Sequence, residues 1–62
     1  MNMSKINELY LGYTIKEKPN EKYFYIYKDN NYIARIEYCS HNAGYRETKR
    51  YIETLVKKEN KL

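Results

Sequence analysis

The segment KYFYIYKDNNYIARIEY, Lys22–Tyr38, decides the fold. A strand over Lys22–Lys28 sends Tyr23, Tyr25 and Tyr27 to one side and Phe24 and Ile26 to the other, because successive side chains alternate across a sheet. Both sides carry apolar surface, so the register must identify the core: a slip of one residue turns every side chain over. Asp29-Asn30-Asn31 predicts a three-residue loop, since asparagine tolerates the left-handed backbone such loops need. A second strand then runs over Tyr32–Cys39 and pairs Lys28 with Tyr32, Ile26 with Ala34 and Phe24 with Ile36.

Upstream, KPNE (Lys18–Glu21) separates this hairpin from a strand over Gly12–Lys18. Pro19 holds φ near about −65° and suits the first central position of a type I turn in a four-residue loop. That loop pairs Glu17 with Lys22, Ile15 with Phe24 and Tyr13 with Ile26. It also sets Gly12 opposite Tyr27, whose ring would cover the bare backbone. One face then holds Tyr13, Ile15, Phe24, Ile26, Ala34, Ile36 and Tyr38, and is the expected core. The other holds Thr14, Lys16, Tyr23, Tyr25, Tyr27, Ile33, Arg35 and Glu37.

A cover for the core face follows. From Asn42 or Tyr45 to Lys58 the apolar spacing becomes helical, with Tyr45, Thr48, Ile52, Leu55 and Val56 on one side and Ser40 or Asn42 as cap. Arg46, Lys49, Arg50, Glu53 and Lys57 point outward, with Glu53 and Lys57 spaced to pair along the helix. Gly44 sits in its first turn. The expected fold is α+β: a three-stranded antiparallel meander with one C-terminal helix on one face, β-β-β-α. It forms a single domain over 1–62, fraying at 1–8 and 59–62. Residues 4–12 read either as a short helix capped by Ser4 and stopped by Gly12, or as an extension of the first strand with Leu9 and Leu11 on the core side. The strand is the preferred reading.

Composition bounds the function. At 62 residues the chain buries only about 60% of its unfolded surface, and one core of this size supplies about 3–5 kcal/mol. That leaves little room for an enclosed active site. Nine lysines and three arginines against seven glutamates and one aspartate give +4, a mild basic excess that permits an anionic partner and argues against an acidic mimic of DNA. The start MNMSKINELY has no apolar core behind a basic head, so no secretory signal is expected and the sequon-like Asn2-Met3-Ser4 carries no meaning. No run is apolar enough to span a membrane. The lone Cys39 excludes an internal disulfide and fits a cytoplasmic location.

Chemistry is not expected. Cys39-Ser40-His41 brings a thiol near an imidazole, but no carboxylate or amide stands at a motif-like place to orient it. One Cys and one His are too few for a metal site, Gly12 and Gly44 form no phosphate loop, and no cofactor is called for. The expected function is binding without catalysis, on the face the helix leaves open: Lys16, Tyr23, Tyr25, Tyr27, Ile33 and Arg35. Tyrosines give large, stiff contact area at low entropic cost. Arg46, Lys49, Arg50 and Lys57 form a secondary basic surface. A protein or nucleoprotein complex suits the open face better than free DNA, since two cations there face Glu37; a homodimer through the tyrosine row is the third option. Neither a membrane nor a small-molecule substrate is implied.

Two resemblances bear on the partner. GYRETKRYIETL, Gly44–Leu55, after three strands is similar to the N-terminal DNA-binding domain of arm-type phage integrases, with a Gly44-Tyr45 step before the Lys49-Arg50 helix. That resemblance implies a sheet face in the major groove, although Glu47 replaces the threonine usual there. GYTIKEKPNEKYFYIYKDNNYIARIEY, Gly12–Tyr38, looks like the meander of small phage and mobile-element proteins, anti-CRISPR inhibitors among them. It implies docking on a host nuclease or its guide complex. A chain opening on methionine and ending without a linker is expected of such a stand-alone product, and the inhibitor is preferred over the integrase module.

Overall fold

A computed structural model describes residues 6–60. It contains four strands and one helix: β1 (Asn7–Tyr10), β2 (Tyr13–Glu17), β3 (Tyr23–Lys28), β4 (Asn31–Glu37) and α1 (His41–Glu59). The sheet is an antiparallel meander in the order β1-β2-β3-β4, with α1 on one face. The α+β class stands as expected, and the strand count is corrected from three to four.

The extra strand comes from Leu11-Gly12. Both residues have positive φ, 51° and 88°, and connect Tyr10 to its partner Tyr13 as a two-residue hairpin loop of the primed type. Gly12 therefore does not lie opposite Tyr27; Thr14 does. Leu9 pairs with Thr14 on the open face and Leu11 occupies the turn, so both are exposed and neither continues the core. Ile6, Glu8 and Tyr10 face the helix instead. The alternative cap at Ser4 lies outside the described residues.

The β2–β3 register differs from expectation by two residues. Glu17 pairs with Phe24, Lys16 with Tyr25 and Ile15 with Ile26; the expected partners were Lys22 for Glu17, Phe24 for Ile15 and Ile26 for Tyr13. The connection is longer than four residues, with Asn20 in the left-handed region at φ 64°. An even shift preserves faces, so the core is unchanged. The β3–β4 loop is also corrected. Asp29 and Asn30 both have positive φ and form a two-residue loop, so Lys28 meets Asn31 and Tyr27 meets Tyr32. A bulge that leaves Ile33 unpaired then restores Ile26–Ala34 and Phe24–Ile36 as expected.

Tyr13, Ile15, Phe24 and Ile26 from the sheet meet Ile52 of α1 in the buried core, rimmed by Ile6, Tyr10, Ile36, Tyr38, Tyr45, Leu55 and Val56. Ser40 caps the helix, its side chain accepting from Ala43 N. Thr48 is wholly buried, and its hydroxyl donates to Gly44 O at 2.8 Å. Gly44 packs directly on Tyr38.

Four phenol–carboxylate hydrogen bonds bind the rim. Tyr10 donates to Glu53, Tyr13 to Glu59, Tyr38 to Glu17 and Tyr45 to Glu8. Three of them tie α1 to β1 or β2. Glu59 also meets Lys28 at 3.1 Å, so this residue, expected to fray, is an anchor, and Asn7–Tyr10 likewise belongs to the sheet. Glu53 binds Tyr10 and makes no ion pair with Lys57 among the described residues.

These bonds predict alkaline sensitivity. The hydrogen bond to Glu17, with burial, pushes the Tyr38 phenol from 10.0 up to about 12. The Tyr10, Tyr13 and Tyr45 phenols are raised in the same way by Glu53, Glu59 and Glu8. A phenol whose pKa is raised on folding contributes stability that is fully present below its unfolded value and lost as pH climbs through the folded one. Stability should therefore fall from pH 10 toward about 12. Tyrosinate absorbance and circular dichroism, titrated together, should show phenol ionisation and unfolding in that window. Loss of the fold before any phenol ionises would contradict it. Glu59 acts in the opposite sense: Tyr13 and then Lys28 hold its carboxyl below the usual value, so its contribution is lost as pH falls through that lowered pKa.

Candidate docking face of the sheet

Strand alternation places Tyr23, Tyr25 and Tyr27 of β3 on the side away from α1, half-buried and in line. Lys16 of β2 and Arg35 of β4 pair across from Tyr25 on either side. Five of the six residues expected to form the face thus come together. Ile33 is the exception in detail: it occupies the bulge, unpaired, and is exposed. Tyr32 takes its place opposite Tyr27, the two rings meeting edge-on with centroids 5.9 Å apart.

Cations lie on the ring faces. Lys16 Nζ is 5.1 Å from the centre of Tyr27, Lys18 Nζ 4.6 Å from that of Tyr25, and the Arg35 guanidinium 4.5 Å from that of Tyr23. Tyr25 also donates to Glu21, and that bond raises its pKa. Such cation–π contacts are worth about 0.5–1 kcal/mol at exposed sites. They set ring and charge in alternation across the face.

Leu9, Lys18 and Tyr32 belong to this face and were missed. Leu9, expected on the core side, is turned to this face by the hairpin at Leu11-Gly12; Tyr32 needed the bulge, and Lys18 reaches in from the loop. Leu9 is 73% exposed and Tyr32 55%, which widens the apolar part of the patch beyond scattered surface residues.

The secondary basic surface is smaller than expected. Lys49 Nζ lies 4.8 Å from the centres of both Tyr10 and Tyr45 and is partly buried, so it packs the rim. Arg46, Arg50 and Lys57 are exposed. The Gly44-Tyr45 step has a packing role here, Gly44 against Tyr38 and Tyr45 donating to Glu8.

Around Cys39-Ser40-His41 one expectation is overturned. A carboxylate does meet the imidazole: Glu17 Oε1 is 3.0 Å from His41 Nε2, supplied by β2 from 24 positions away in sequence. The ring stands edge-on to Phe24 and Tyr38, and Glu17 also accepts from Tyr38. Cys39 is an exposed free thiol, and no hydrogen bond joins it to His41 among the described residues. The described residues contain no cluster of three or more potential metal ligands and no helix long and apolar enough to cross a membrane.

No protein-family model, curated protein or solved structure matches the chain.

Proposed function

We propose that this chain is a non-enzymatic binding protein whose open sheet face docks on a larger protein or nucleoprotein complex. The observation that carries the reading is the face of Tyr23, Tyr25, Tyr27 and Tyr32 on the side of the sheet away from α1, uncovered among the described residues. Rings already held by cations give a pre-ordered surface, which lowers the entropic cost of association. Lys16, Lys18 and Arg35 beside these rings would also suit phosphates and stacked bases, so nucleic acid is the second reading, and salt dependence separates the two. The resemblance to small mobile-element inhibitors implies a host nuclease or its guide complex as the target, in a bacterial cytoplasm.

The test is affinity capture from a bacterial lysate, with and without nuclease treatment, using the native chain, Tyr25→Ala and Tyr27→Ala. A nuclease complex retained after treatment and weakened by about 2 kcal/mol or more in one of the variants supports the proposal. Loss of every partner on nuclease treatment, with a steep salt dependence, would favour DNA or RNA binding. Capture unaffected by either substitution but abolished by Arg46→Ala and Arg50→Ala would place the contact on the helix side instead.

A further inference from the structure

The sheet has two edges of unequal character. Among the described residues β1 offers four, Asn7–Tyr10, and short edges are one way proteins avoid unwanted pairing. β4 runs seven residues, and after its bulge at Ile33 the segment Ala34–Tyr38 contains neither proline nor lysine. Its backbone polarity follows from one bond: Tyr38 N–H donates to Lys22 O at 3.0 Å. Hydrogen-bonding direction alternates along an antiparallel pair, and Phe24 faces Ile36 in the same register. Ala34, Ile36 and Tyr38 therefore direct their N–H and C=O groups toward β3, whereas Arg35 and Glu37 direct theirs outward.

We propose that this edge binds a second copy of the chain, β4 against β4, antiparallel about a two-fold axis at Ile36. The segment is self-complementary in that register and not when centred on either neighbour, which would oppose like charges at Arg35 or at Glu37. About Ile36, Arg35 of each copy lies opposite Glu37 of the other, and these are the two residues whose backbone groups are free to complete the ladder. Opposite charges in directly facing positions are favourable. On the helix side Ile36 meets Ile36, and the small Ala34 faces the large Tyr38. Ile36 is only partly covered within one copy, where it floors an open groove of about 510 Å³ beside Arg46, Glu47, Arg50 and Tyr51. A second copy would close that groove with helix surface carrying both signs of charge. The arrangement is isologous and closes on itself, as two-fold dimers do.

The inference does not depend on the docking role, although the two share Arg35, which lies over the Tyr23 ring within one copy. The eight strands would form one continuous sheet, and the two tyrosine faces would lie side by side on its uncovered surface, still open to a partner.

Sedimentation equilibrium with reductant present, across about 10 μM to 1 mM, is expected to show the 7.6 kDa chain moving to twice that mass. Arg35→Glu or Glu37→Arg places like charges opposite each other and should weaken association by about tenfold or more. The double exchange, Arg35→Glu with Glu37→Arg, should restore it, with circular dichroism confirming that each variant is folded. In the native chain the amides of Arg35 and Glu37 should exchange more slowly as concentration rises, a readout that needs no substitution. A chain that stays monomeric throughout, edge amides that exchange freely in a dimer, or a dimer dissolved by Tyr25→Ala yet indifferent to the charge exchange would each overturn the proposal.

Discussion

Phe24→Ala is expected to leave the chain unfolded in plain buffer. Phe24 is fully buried near the start of β3. The rings of Tyr38, His41 and Tyr45 surround it with centroids 4.8, 5.1 and 6.0 Å away, and Ile36 lies across the strand pair. Truncation removes a large apolar side chain and leaves a cavity whose walls are held by their own hydrogen bonds, so collapse into it is limited. Such a change costs about 3–5 kcal/mol, comparable with the about 3–5 kcal/mol that a core of this size supplies in total. Tyr25→Ala, next in sequence but on the other face, loses the Lys18 contact and the bond to Glu21 and should cost about 1 kcal/mol or less. Urea unfolding followed by circular dichroism separates the two. Equal losses would mean that the covered and open faces have been exchanged.

That contrast was legible in the sequence because side-chain alternation has period two. The KPNE connection runs longer than Pro19 suggested, yet the resulting slip in the β2–β3 register is even, and Ile15, Phe24 and Ile26 remain inward. The β3–β4 turn shows the same economy. A two-residue loop at Asp29-Asn30 and a bulge at Ile33 together reproduce the pairing a three-residue loop would give. What could not be read were features whose partners are distant in the chain. The extended reading of residues 4–12 is met over Asn7–Tyr10. As a separate strand, however, β1 was concealed because Leu9 faces solvent and Leu11 lies in the turn, whereas Glu8 faces the helix to accept from Tyr45, 37 positions away. Leu11 in a left-handed turn conformation is rare for a residue with a bulky side chain, which hid the hairpin. Glu59 looked like a frayed end because its partners, Tyr13 and Lys28, lie on β2 and β3. On the open face the residue types were legible, but the placing of cations over the rings was not, because it depends on a register the sequence left two residues adrift.

The other large effect is expected from the smallest change, Gly44→Ala. In an exposed helix this substitution would help, since alanine favours the helix over glycine by about 1 kcal/mol. Gly44 is buried, however, and a Cβ there would come within 2.3 Å of Tyr38 Cβ and 2.8 Å of its Cγ. No rotamer change relieves this, because the nearest atom is fixed by the Tyr38 backbone. Tyr38 is itself held at three points: its N–H on Lys22 O, its hydroxyl on Glu17 and its ring on Phe24. The helix must therefore lift at its first turns, disturbing the Ser40 cap, the Tyr45–Glu8 bond and the cover over Phe24 together. Overpacking of this kind costs about 1–3 kcal/mol and sometimes more, which outweighs the helical gain. A net loss of about 2 kcal/mol should lower the melting temperature by about 10 °C in a domain this small. A Gly44→Ala chain as stable as the native one would show that α1 does not seat on the end of β4. The core side of the sheet would then lack its tight lid, and the tyrosine face would no longer be singled out as the surface left free for a partner.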